Sequence, residues 1–159
     1  MRGQTAIEYL LIFSAVLMIF AAVTFAQMIN PTSEAARDTL YLSQARSAAD
    51  AISGAINTVY ANGQGAVRSV SVSMDCGWGV QLDNVENKLR VVVQISQGTK
   101  NVEDNLRYKI NNSHSLSNIS SGTYTVIVEW PENEKILESI DSRAIGDKKI
   151  YIYIRPRGG

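Results

Sequence analysis

The sequence predicts an α+β chain, a long N-terminal hydrophobic α-helix whose C-terminal half packs on an antiparallel β-sheet domain. Three observations predict it. Tyr9 to Ala26 reads YLLIFSAVLMIFAAVTFA with Ser14 and Thr24 as its polar members, close to the ~20 apolar residues a helix needs to cross a bilayer. Tyr41, Ala45, Ala48, Ile52, Ala55 and Val59 then recur at alternating spacings of four and three, which is one face of a helix. Beyond Gly65 the pattern changes to the alternation of half-buried strands, as in Val67-Arg-Ser-Val-Ser-Val-Ser73.

At the start of the apolar run sits one acid, Glu8. An acid at mid-helix costs about 2.5–3.5 kcal/mol on insertion scales, so a carboxylate beside a span calls for a partner or a functional role. The stretch 27–34 is polar and contains Pro31, which lacks a backbone donor and disfavours helix at Asn30, so a kink or melted turn is expected there. Helix resumes with the stripe above, flanked by Leu42, Ala49 and Ile56, and backed by a polar face of Arg37, Asp38, Arg46, Asp50 and Asn57. Ala61-Asn-Gly-Gln-Gly65 stops it, since Asn and Gly accept the left-handed backbone that ends a helix. Unbroken from Gln4 to Tyr60, such a helix would extend about 85 Å at roughly 1.5 Å per residue.

Further strands are expected at Lys88–Ser96, Leu106–Asn111, Thr123–Trp130 and Lys149–Arg155. Gly77-Trp-Gly79, Gln97-Gly98, Ser121-Gly122, Trp130-Pro131 and Gly146-Asp147 supply the turns, and 134–142 reads as either a short helix or a strand. In the last strand Ile150, Ile152 and Ile154 should face the core. Tyr151 and Tyr153 would cover the surface, contact a neighbouring subunit or, with Arg155, stack on a base.

Arg2-Gly3-Gln4-Thr5-Ala6-Ile7-Glu8-Tyr9, running into an apolar helix, resembles the class III signal peptide of archaeal type IV pilin-like proteins. The resemblance covers about the first 30 residues. It implies a pilin "lollipop" in which 1–3 is a leader removed by prepilin peptidase between Gly3 and Gln4. Residues 4–30 would form the transmembrane and filament-core helix, 31–61 its amphipathic continuation, and 62–159 a β-rich head. It further implies that Gln4, Glu8 and Tyr9 serve assembly, with the Glu8 carboxylate answering the Gln4 amine of the next subunit. That pairing is physically sound, because a fitted opposite charge offsets much of the cost of a buried one. The implied role is a subunit of an adhesion pilus, held in the cell membrane as precursor and then polymerised outside the cell by an assembly ATPase and membrane platform. A minor pilin or pseudopilin, an archaellin-like motility subunit and a membrane-tethered extracellular binding protein share these features. An ordinary secretory signal would instead be cut after Thr24-Phe25-Ala26, but the apolar run exceeds its usual ~7–15 residues.

Composition points the same way. The 159 residues suffice for one span and one domain, and fifteen basic against fifteen acidic residues leave no net field to gather nucleic acid. Cys76 is the sole cysteine and cannot staple the domain; it reads as a packed small hydrophobe. His114 is the sole histidine, in a polar stretch read as a solvated loop, and one His with one Cys cannot complete a zinc site. Neither a phosphate-cradling P-loop nor a G-x-S-x-G elbow is present. Glu129, Glu132, Glu134, Glu138 and Asp141 read as solvated surface, so neither enzyme nor cofactor is expected. Asn111-Asn-Ser113 and Asn118-Ile-Ser120 satisfy the N-glycosylation sequon and become acceptors if the domain is exported.

Overall fold

The computed structural model describes residues 2–111, 113–132, 144–146 and 149–157. Helix α1 spans Arg2–Asn62, and the chain divides into two compact units, Met1–Asp38 and Thr39–Gly159. The expected melted turn at 27–34 is absent: helix is assigned through Pro31. Proline removes one hydrogen bond and costs about 3 kcal/mol in a helix interior, and the well-formed turns on either side carry α1 past it. The 134–142 segment, with Glu134, Glu138 and Asp141, lies outside the described residues, as does Asp147 of the last expected turn.

The second unit is built on the last turns of α1. Ala45, Ala48, Ala49, Ile52, Ala55, Ile56 and Val59 are buried, as the stripe predicts, and the small alanines let the backbone come close to the sheets. The helix ends where expected, with Gly63 at φ 83° donating its amide to the Val59 carbonyl at 3.0 Å.

Among the described residues eight strands follow: β1 (Val67–Met74), β2 (Trp78–Asp83), β3 (Lys88–Ile95), β4 (Gly98–Asn105), β5 (His114–Ile119), β6 (Gly122–Glu129), β7 (Ala144–Gly146) and β8 (Tyr151–Pro156). They form the expected antiparallel β-sheet domain as two four-stranded sheets, in the orders β1-β6-β8-β7 and β4-β3-β2-β5. Inner faces of both, with Val72 and Val126 from one and Val80 and Val91 from the other, join the helix stripe in one core. Ile150, Ile152 and Ile154 lie in that core as expected.

Three local readings are corrected. Gly77-Trp-Gly79 is not simply a turn, because β2 starts at Trp78 and pairs with both β3 and β5. His114 is not in a solvated loop; it is half-buried at the start of β5, opposite Leu82. Leu106–Asn111 alternates as a strand should, burying Leu106, Tyr108 and Ile110, yet joins no ladder. Side-chain amides take the place of a partner strand there. Asn57 Oδ1 accepts from the Arg107 amide at 2.8 Å, and Asn87 donates to the Leu106 carbonyl at 2.6 Å while accepting from the Ile110 amide at 3.0 Å.

Polar bonds fasten the helix to the sheets. Gln44 donates to Asp75 Oδ2 at 2.7 Å and accepts from the Asp75 amide at 3.0 Å, and Arg46 donates to the Glu103 carbonyl at 3.0 Å. Ser53, a polar residue inside the buried stripe, donates to the Asp104 carboxylate, which satisfies a hydroxyl that would otherwise cost about 1–3 kcal/mol to bury.

Candidate functional site

Two regions hold the residues singled out by sequence. The first is the N-terminal stretch of α1. Its best apolar window has a mean hydropathy of 2.4, and none of it is buried by the chain. Tyr9, Leu10, Phe13, Met18 and Phe20 are all exposed by 65% or more. A soluble monomer rarely leaves so continuous an apolar surface open, so such a surface marks a membrane or an interface. The two polar residues in the run are already satisfied. Ser14 Oγ donates to the Leu11 carbonyl at 2.9 Å and Thr24 Oγ1 to the Phe20 carbonyl at 2.8 Å, leaving neither hydroxyl proton needing water.

Gly3, Gln4, Glu8 and Tyr9 fall in the first turns of this helix. The Glu8 carboxylate is exposed, and among the described residues no cation pairs with it. The Gln4 side chain lies outside the described residues. Helical geometry sets positions 4 and 8 one turn apart on the same face.

The second region is the sheet domain. Both sequon asparagines are exposed. Asn111 sits in a bend, where its carbonyl accepts from Asn84 Nδ2 at 3.2 Å, and the Ser113 hydroxyl of that sequon is tied to Asn84 Oδ1 at 2.6 Å. Asn118, the penultimate residue of β5, lies in the left-handed region at φ 60°, and its sequon partner Ser120 is bonded to the Tyr124 hydroxyl at 2.9 Å.

On the outer face of β3 a charged network centres on Arg90, which meets Asp83 at 2.6 Å, Glu103 at 2.6 Å and Glu86 at 3.0 Å; Lys88 bridges Glu86 and Glu103. The Val85 and Glu86 amides and then Arg90 hold the Asp83 carboxyl below its ordinary range. The Arg90 and Lys88 hydrogen bonds do the same for Glu103. Every acid here is satisfied by a base or an amide, which is the arrangement of a structural ladder rather than of a poised acid and base. Cys76 is half-buried against the core, and burial followed by the Asp75 charge raises its thiol pKa, which keeps it in the unreactive thiol form. No cluster of metal-ligating side chains occurs among the described residues.

Tyr153 faces away from the isoleucines of β8 yet is 3% exposed, so it offers no open contact surface, while Tyr151 is half-buried. Sequence reasoning also passed over a depression beside Gly79 on the outer face of β2. The available signal was the glycine itself, because glycine inside a strand marks a bulge or a close backbone approach. The chain matches no family model, no curated protein and no solved structure, so its function is read from its own residues.

Proposed function

We propose that the chain is a structural subunit of an archaeal type IV adhesion pilus, polymerising through its N-terminal helix into an extracellular filament. The observation that carries this reading is the uncovered apolar run of α1, entered through the carboxylate of Glu8, which no cation pairs among the described residues. Lipid covers that surface in the precursor, and identical helices cover it in the filament. Between the two the apolar side chains exchange one dry surrounding for another, so close packing and the Gln4–Glu8 pair must supply specificity. Ser14, Ala15, Ala21 and Ala22 permit close helix approach. Prepilin peptidase would release the leader at Gly3, and the assembly ATPase and its membrane platform would drive extrusion.

A membrane-tethered binding protein is the second reading, favoured by the same span, since an interfacial Glu8 stays hydrated at little cost. Mass spectrometry of the exported protein, paired with Glu8→Ala, separates them. The filament reading expects a mature start at Gln4, free or cyclised, with filaments lost and membrane protein retained in the variant. A start at Gln27, or material that never assembles, overturns it.

A further inference from the structure

The outer face of the sheet β4-β3-β2-β5 carries a depression of about 200 Å³ beside Gly79. Its origin is local. The register between β2 and β5 shifts between Trp78 and Val80, which brings the Leu116 carbonyl to 2.8 Å from where a Cβ on residue 79 would sit. Only glycine fits that approach, so the β5 backbone at Leu116 and Ser117 closes against residue 79 and the depression opens beside it. Val92, the cross-strand partner of Gly79, forms part of its apolar lining.

The rim is chemically uniform. Gln81, Gln94, Thr99, Ser117 and Asn118 all line the depression, and among the described residues no ionisable side chain does. Each of these amides and hydroxyls can both donate and accept a hydrogen bond. An anion would find no cation there, and a metal ion no carboxylate. An acyl chain would leave the amides and hydroxyls of the rim without partners, and the volume is below the ~300–1,000 Å³ typical of drug-sized ligands. What fits an apolar patch ringed by neutral donor–acceptors is a small ring with apolar C–H faces and an edge of hydroxyls.

We propose that this depression is a binding site for one neutral sugar ring. It deepens the adhesive reading by naming the class of surface gripped, a neutral glycan, and rests on that reading only for its setting. The same sugar chemistry could come from within the chain, because Asn118 on the rim also heads a sequon.

The test uses the full chain, made in a host without N-glycosylation and held in zwitterionic micelles free of sugar headgroups. Saturation-transfer NMR is recorded with the methyl glycosides of galactose, glucose, mannose and N-acetylglucosamine. At least one should bind with a Kd of about 1 mM, and the double variant Gln94→Ala with Thr99→Val should weaken it about tenfold or more. Gln94 and Thr99 are exposed, so an unchanged circular dichroism spectrum is expected to accompany that loss. Repeating the titration on native-host protein and on Asn118→Gln separates the sources. Binding blocked in the former and restored in the latter makes the occupant the chain's own glycan, and equal binding makes it an external one. Absence of binding by all four glycosides, or binding that the double variant leaves intact, overturns the proposal. Filament formation is scored separately by electron microscopy, so the two readings fail independently.

Discussion

Ile12 and Ile52 are the same residue type on the same helix, one 62% exposed and the other fully buried, so truncating each to alanine separates the two roles of α1. Ile52→Ala removes about three carbon groups worth ~0.8 kcal/mol each, or about 2.4 kcal/mol of transfer energy. Ile52 is surrounded by alanines and by strands held in ladders, which restricts collapse around the space left behind. A cavity contribution therefore raises the loss to about 3–4 kcal/mol. For a unit of this size the melting temperature should fall by about 12–16 °C. Ile12→Ala opens no cavity and should leave the sheet domain within about 0.5 kcal/mol of the parent. On the proposed filament reading its effect should appear in assembly, as fewer or shorter filaments from normally folded protein. Thermal unfolding of the full chain in micelles, followed by the fluorescence of Trp78 and Trp130, reads the first quantity, and electron microscopy reads the second. Equal destabilisation by the two substitutions would refute the division of α1 into an uncovered half and a core half.

Gly79→Ala should cost about 1–3 kcal/mol in the same melt, because its Cβ would press on the Leu116 carbonyl, a backbone atom with little freedom to withdraw. Tyr153→Phe should be neutral or stabilising by up to about 1 kcal/mol, since the Tyr153 hydroxyl is buried with no hydrogen-bond partner among the described residues. Burial and then the Glu129 charge raise the Tyr153 pKa above its ordinary 10.0, so the folded state holds this proton longer than the unfolded chain. That contribution is complete below pH 10.0 and is lost as pH rises through the folded value, so an alkaline melt series should fall less steeply in the phenylalanine variant. Arg90→Gln should lower stability near neutral pH and flatten the acid limb. The depressed Glu103 and Asp83 carboxyls contribute stability above their ordinary values of 4.5 and 3.8 and lose it as pH falls through the folded ones. The Glu103 share should shrink to what its Lys88 bond maintains, while most of the Asp83 share persists because backbone amides are the main cause there; an unchanged acid limb would show that Arg90 contributes nothing to it.

The helix stripe, its glycine stop and the inward isoleucines of β8 were legible because each is a periodic pattern set by local geometry. Ala45 to Val59 can bury one face in only one way if they are helical, and a left-handed stop after Tyr60 needs the glycine that stands at 63. Leu106–Ile110 shows the limit of such reasoning. Its alternation correctly marks the buried side chains, but a strand is defined by where its backbone bonds go, and here they go to Asn57 and Asn87. His114 was misplaced for a related reason: a polar run gives little period-two signal, and β5 is held by the ladder that β2 offers it.

The apolar run with its lone acid, long and apolar enough to cross a membrane, follows from the sequence by itself, because length and hydropathy are properties of consecutive residues. Tertiary structure alone decided that the strands divide into two sheets, that Ser53 can be buried because Asp104 meets it, and that the Leu116 carbonyl closes on Gly79 beside a depression. Each of these depends on groups distant in the chain arriving within bonding or van der Waals distance, and no periodicity in one segment encodes the position of another.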